Sequence, residues 1–144
     1  MSLDRPRTPY LRVALGAAGV HQLLFGLGFL LLPGLVVTTV GARGLEGAAA
    51  MGDVRSVYGG YLGGVGAFLV MASVRTAYTW AGGWLAMMTL VPITLGRVLG
   101  LALDDVDAGL AFRLLLIEGF ALALVSAALA AEGWAKRQAG PPRS

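Results

Sequence analysis

The sequence predicts an all-α fold, namely an integral membrane four-helix transmembrane bundle. The chain has 144 residues, of which 57% are hydrophobic and 13% are charged, whereas soluble domains carry about 25% charged residues. The apolar residues fall into four stretches, each near the length of roughly 20 residues at which a helix crosses a bilayer. Only helices and closed barrels satisfy their backbone groups in lipid, and the lack of alternating hydrophobicity disfavours a barrel.

Composition excludes several classes of function. The chain has no cysteine and one histidine, which rules out a disulfide framework, a thiolate-held iron–sulfur cluster and a cysteine nucleophile. Its net charge is +3, but the basic residues lie mainly at the two ends, without the aromatic-interleaved basic stripe of a nucleic-acid-binding protein. No phosphate-binding loop, zinc-protease motif or serine nucleophile turn is present. We therefore expect no nucleic-acid partner.

The first predicted span covers residues 10–33 and follows a polar start that carries Arg5 and Arg7. It ends at Pro33-Gly34, a pair that breaks helices. The apolar run is longer than the roughly 7–15 residues of a signal-peptide core, so we interpret it as an uncleaved span. Cleavage after the alanines at 48–50 is the alternative.

Three further spans complete the predicted single transmembrane domain, residues 1–144. They cover residues 54–74, 81–103 and 110–131, and a polar tail follows at 132–144. Between the first two spans, residues 36–52 form a loop rich in small residues, with room for a short interfacial helix.

The basic residues predict the orientation through the positive-inside rule. Seven of them fall on one side, and two fall on the other: Arg5, Arg7, Arg12, Arg75, Lys136, Arg137 and Arg143 against Arg43 and Arg55. We therefore expect a multi-pass membrane protein with both termini in the cytoplasm. The three tryptophans then lie at the cytoplasmic interface, as in an aromatic belt.

Small residues at helical spacing predict where the helices approach each other, because close backbone contact drives helix association in lipid. The second span has two such pairs, Gly59/Gly63 and Gly60/Gly64, and the fourth span has a row formed by Gly119, Ala123, Ala127 and Ala131. These faces pack either within one protomer or between protomers. We expect a small homo-oligomer.

Polar residues inside the spans indicate a site, since a charge in hydrocarbon costs about 2.5–3.5 kcal/mol even on lenient scales. At ~1.5 Å per residue, Arg97 and Glu118 lie at similar depths below the same interface and are predicted to pair. The set of candidate ligand-binding residues is His21, Gln22, Arg55, Tyr58, Tyr61, Arg97, Arg113 and Glu118.

The arginines of this set exceed its carboxylates, which favours a polar or anionic head group, because guanidinium pairs well with carboxylate and phosphate. The preferred function is therefore binding of an amphiphilic or lipid-like small molecule, with transport as an extension. One alternative within the site is a structural Arg97–Glu118 clamp, with Arg55 and Arg113 binding the phosphates of membrane lipids. The other is proton exchange at Glu118 or His21. Asp53, Glu118 and His21 are too scattered in depth for a metal site, and we expect neither metal nor cofactor.

Three other functions stay open at this point. The first is a non-catalytic subunit that packs against a larger membrane complex, and the second is a compact membrane isomerase or cyclase. The third is a proton-coupled transporter, which is disfavoured because a chain of 144 residues must dimerise to form an alternating path. The enzyme reading needs Glu118 as the general acid/base and a cavity around it that Arg97 does not fill. It is the less favoured reading.

The chain resembles a small bacterial family known only as domain of unknown function DUF4345. The residues that carry the resemblance are Arg55-x-x-Tyr58-Gly59-Gly60 at the start of span two, Gly96-Arg97 late in span three, an acidic turn with Asp107 and Gly109, and Glu118 in span four. The resemblance covers about residues 10–132 and implies a four-helix fold in a bacterial inner (plasma) membrane, without a settled activity. More loosely, the chain is similar to DoxX-like bundles, whose thiol chemistry cannot operate without cysteine.

Overall fold

The predicted all-α class is confirmed by the structure, a computed structural model that describes residues 9–40, 47–104 and 107–138. These residues form helices and short connections without a strand. Four helical stretches are long and apolar enough to cross a membrane: Pro9–Leu31, Ala50–Val74, Thr79–Leu103 and Ala108–Ala135. Each overlaps one of the four apolar stretches recognised in the sequence.

The helices, in chain order, are α1 (Pro9–Leu31), α2 (Pro33–Thr39), α3 (Ala48–Asp53), a π-helical segment (Val54–Tyr61), α4 (Leu62–Val74), α5 (Thr79–Leu103) and α6 (Ala108–Gln138). The second transmembrane stretch therefore changes its helical geometry along its length. It contains the end of α3, the whole π-helical segment and α4.

Pro33 both ends α1 and begins α2. Proline has no backbone N–H, so it cannot extend the preceding helix, but it is favoured in the first turn of a new one. The segment expected to be a loop, residues 36–52, is thus partly helical, since α2 runs to Thr39 and α3 begins at Ala48. At the other end of the chain, α6 continues into the predicted polar tail as far as Gln138.

The four long helices run antiparallel in sequence order. We call the end of the bundle where α1 and α5 begin and α4 and α6 finish the termini end. There the Arg12 Nε atom donates a hydrogen bond to the Ser73 carbonyl at 2.7 Å, near the carboxyl terminus of α4. A cation at this position also interacts favourably with the helix dipole. Helix α1 packs along α4 and the π-helical segment, and α5 packs along α6.

Glycines allow the close contact between α1 and the second transmembrane stretch. A Cβ atom added at Gly26 would meet the backbone of Gly63, and one added at Gly66 would meet the backbone of Leu23. In contrast, Gly64 has nothing within 4 Å of such an atom. Of the two predicted glycine pairs, Gly59/Gly63 thus faces α1, whereas Gly60 and Gly64 are exposed. Ala123, Ala127 and Ala131 are exposed as well.

The core is concentrated in the half of the bundle near the termini end. All four long helices contribute to it, and its buried residues are Leu11, Ala14, Leu15, Ala18, Val65, Leu69, Ala72, Ala86, Leu90, Val125 and Ala128. The opposite half has a smaller buried cluster of Phe29, Val37 and Val54, which joins α1, α2 and the π-helical segment. Helices α5 and α6 contribute no buried residue to that second cluster.

Candidate functional site

A cavity of about 430 Å³ occupies the half of the bundle away from the termini end. Its walls come from α1, α2, the π-helical segment, α4, α5 and α6. Small-molecule sites in proteins have volumes of roughly 300–1,000 Å³ and are mostly apolar, with a few polar groups. The lining here has that character: eleven aliphatic or phenyl side chains surround six polar ones, which are His21, Gln22, Tyr58, Tyr61, Arg97 and Glu118.

The cavity exists because the helices separate in this half. The π-helical segment packs closely on α1, α3 and α4 but not on α5 or α6. Helix α5 contains Pro92 in its interior, and proline there removes a backbone hydrogen bond and bends the helix. The residues of α5 that follow this proline and line the cavity are Ile93 and Arg97. π-Helical geometry is rare in proteins, and this segment extends over eight residues.

Arg97 and Glu118 form a bidentate ion pair across α5 and α6. Arg97 Nε donates to Glu118 Oε2 at 2.7 Å, and Arg97 Nη2 donates to Glu118 Oε1 at 2.6 Å. Their side chains are 27% and 14% exposed, respectively. The predicted pairing of these two residues is therefore present, and it places a neutralised polar group in the wall of the cavity.

Gln22 provides the most unusual polar group in the cavity. Its residue exposure is 5%, and neither its Nε2 nor its Oε1 atom has a hydrogen-bond partner within the described part of the chain. Buried polar atoms in proteins are nearly always hydrogen-bonded, so each exception needs an explanation. The sequence identified Gln22 only as the neighbour of His21, because the direction in which a side chain points is set by helix packing.

Four rings form a continuous aromatic wall along the cavity. The ring centroids of His21 and Phe25 are 4.9 Å apart, those of Phe25 and Phe29 are 6.4 Å apart, and those of Phe29 and Tyr58 are 5.5 Å apart. These separations are in the range of favourable aromatic contacts. The two phenylalanines were not among the predicted site residues. Their signal was available, since positions 21, 25 and 29 follow the i, i+4 spacing of one helix face.

The structure does not bring Arg55 and Arg113 into the cavity. Both are exposed, and neither lines it. Arg55 instead donates from Nε to the Leu30 carbonyl at 3.3 Å, near the end of α1. The expected excess of positive charge in one pocket is therefore not found there. The depth of a residue along a helix can be counted from the sequence, whereas the rotation of the helix about its own axis relative to its neighbours cannot. That rotation decides which residues face the cavity with Arg97, and Arg55 and Arg113 do not.

Tyr61 lines the cavity together with Tyr58, as expected for hydroxyl groups near a polar ligand. Both tyrosines and the neighbouring Val57 are about half-exposed. The cavity is open rather than enclosed, and its exposed lining residues also include His21 of α1 and Ile117 of α6. His21 and Glu118, which the sequence placed at different depths, both border this one space. Within the described residues, no group of three or more metal-ligating side chains occurs.

Comparison with known proteins identifies the family of the chain but no individual relative. Neither the curated proteins nor the solved structures give a match to the chain. The similarity to DoxX-like bundles and the bacterial origin stay predictions. A family model described as "Domain of unknown function (DUF4345)" matches residues 10–130, a range that contains every residue lining the cavity. The chain therefore belongs to the family described as domain of unknown function DUF4345.

Proposed function

We propose that the protein binds a small amphiphilic molecule in this cavity, with the polar head at Gln22 and the Arg97–Glu118 pair and the apolar body along the aromatic wall. The observation that carries the proposal is the buried amide of Gln22, which has no partner in the described chain and lies in a mostly apolar cavity of ligand size. A bound head group would satisfy that amide and offset its desolvation.

The surroundings of the cavity support an amphiphile over a water-soluble ligand. The exposed residues of its lining lie in transmembrane stretches, among them Val57, Tyr58 and Tyr61. A molecule already dissolved in the bilayer reaches such an opening laterally, whereas a hydrophilic solute would have to cross hydrocarbon. The apolar side chains that form most of the lining provide matching surface for an alkyl or ring-containing body.

Two neighbouring residues of α6 give a matched test. Ile117 lines the cavity and Leu116 does not, although both are exposed, at 49% and 58% respectively. We expect native mass spectrometry of the wild type, released from mild detergent, to show a retained small molecule. Ile117→Trp should narrow the cavity and reduce the fraction of protein that retains the molecule, whereas Leu116→Trp should leave that fraction unchanged. Bare wild-type protein, or the same bound mass in all three proteins, would contradict the proposal.

A second candidate function is that of a subunit in a larger membrane complex. The exposed small residues favour it, because Gly60 and Gly64 on one helix and the alanines of α6 leave room for another helix to approach. The same mass spectra measure the number of copies and any stoichiometric partner. Gly64→Leu should dissociate such an assembly if this face forms the contact, and an unchanged mass would exclude that face.

General acid/base chemistry at Glu118 is less favoured by the geometry. An enzymatic function would require free space around the Glu118 carboxylate. Both carboxylate oxygens instead accept hydrogen bonds from the guanidinium of Arg97. We therefore assign Glu118 a positioning role, in which it holds Arg97 at the cavity wall.

A further inference from the structure

We infer that the head group bound in the cavity is uncharged and carries both a hydrogen-bond donor and an acceptor, as a hydroxyl or amide group does. The inference rests on the proposed function, because it names the chemical class of ligand for the same site. It departs from the sequence-based expectation, which allowed an anionic head held by three arginines. Two observations support it, the charge balance of the lining and the amide of Gln22. The apolar residues of the lining then specify the rest of the ligand.

The charges that line the cavity are already balanced. With His21 neutral, they amount to one guanidinium and one carboxylate, and these two groups bind each other through two short hydrogen bonds. Arg55 and Arg113 lie outside the lining. A carboxylate or phosphate head would therefore enter an apolar space with no free counter-charge, or would have to displace Glu118 from Arg97. Burying an unpaired charge in such surroundings is strongly unfavourable.

The amide of Gln22 specifies the hydrogen-bonding capacity of the head. An amide has two donor hydrogens on nitrogen and an acceptor oxygen, and in Gln22 both ends are buried without a partner among the described residues. An ester or ether can only accept, so it would leave Oε1 unsatisfied. A carboxylate also only accepts, and it adds a charge. A hydroxyl or amide head satisfies both ends of the side chain at once.

The rest of the lining specifies an apolar body. Beyond the polar residues, the walls consist of phenyl rings and aliphatic side chains, among them Phe25, Phe29, Ile93 and Leu114. A volume of about 430 Å³ suits an alkyl chain of moderate length or a compact ring system. The inferred ligand class is therefore a neutral amphiphile such as a monoacylglycerol, a long-chain alcohol or a fatty amide.

Three probes with the same acyl chain test the inference: 1-monolauroylglycerol, which is neutral and both donates and accepts; methyl laurate, which only accepts; and laurate at pH 8, which is anionic. Each is added at the same mole fraction to detergent micelles containing the protein, and the shift in unfolding temperature ranks the affinities, since a ligand that binds only the folded state stabilises it. We expect the wild type to prefer monolauroylglycerol by about tenfold over either of the others.

Variants separate the head-group inference from the proposed function. Gln22→Leu should remove the preference among the three probes, and the same change at the exposed Gln138, at the end of α6, should retain it. Equal shifts for the three probes in the wild type, or the largest shift with laurate, would overturn the inference while leaving a cavity that binds amphiphiles. If no probe raises the unfolding temperature of the wild type more than that of the Ile117→Trp variant, the proposed function fails as well.

Discussion

Gln22 is unusual for a buried residue, because its polar side chain has no hydrogen-bond partner in the part of the chain that the structure describes. An unsatisfied buried polar group costs about 1–3 kcal/mol. We therefore expect Gln22→Leu to raise the free energy of unfolding of the ligand-free protein, measured by denaturant titration in detergent, by about 1 kcal/mol or more. Gln138→Leu should change it little. Destabilisation by Gln22→Leu would mean that the amide has a partner in the absence of a ligand.

The Arg97–Glu118 pair joins α5 to α6 in the half of the bundle that has few buried residues. Removing one partner leaves the other without compensation in a poorly solvated wall. We expect Arg97→Gln and Glu118→Gln each to destabilise the protein, and the double variant to be less unstable than the sum of the two. A double-mutant cycle should give a coupling energy of about 0.5–3 kcal/mol, as for other residues in direct contact. Strict additivity would show that the pair does not stabilise the fold.

Individual site residues were predictable from the sequence only where depth in the membrane is enough to bring two side chains together. Arg97 and Glu118 pair because the third and fourth spans place a guanidinium and a carboxylate at similar heights. Arg55 and Arg113 also lie on that side of the bundle, but helix rotation points them away from the cavity. The burial of Gln22 depends on the contact of α1 with its neighbours, which has no local signature beyond a polar residue in an apolar run.

At the level of elements, the contact between α1 and α4 depends on particular glycines. A methyl group at Gly66 would collide with the backbone of Leu23, so we expect Gly66→Ala to destabilise the protein by about 1–3 kcal/mol, as overpacking does elsewhere. Gly64, two residues earlier on the same helix, is the matched control. Gly64→Ala should be neutral or slightly stabilising, because alanine has the higher helix propensity. Equal effects of the two changes on the unfolding midpoint would disprove this account of the interface.

The four long helices were predictable because length and apolarity determine a transmembrane helix almost by themselves. The π-helical segment Val54–Tyr61 was not predictable, although it contains the Arg55-x-x-Tyr58-Gly59-Gly60 motif on which the family resemblance depends. Its backbone hydrogen bonds join residues about five apart in the chain, instead of about four as in an α-helix. No local composition rule predicts that pattern. Helix α2 was missed in a similar way, since Pro33 was interpreted only as a helix end and not also as a helix start.

For the whole molecule, the absence of cysteine offers a direct test of orientation. Gly47 lies before α3, on the connection between the first two transmembrane stretches, and Gln138 lies at the end of α6; both are exposed. The distribution of basic residues predicts that Gly47 is outside and Gln138 is in the cytoplasm. In intact cells, a membrane-impermeant maleimide should label Gly47→Cys and spare Gln138→Cys until the cells are lysed. The reverse pattern would invert the topology.

The uneven distribution of buried residues has a consequence for the selectivity of the proposed site. The larger buried cluster joins all four long helices near the termini end, whereas the cluster in the opposite half includes no buried residue of α5 or α6. Moving α5 and α6 away from α1 in that half would disturb few buried contacts, so we expect molecules of different width to fit there at similar cost. The fixed amide of Gln22 does not adjust in this way. We therefore expect discrimination by head group and tolerance of the chain, which is the behaviour of a receptor for a class of lipids.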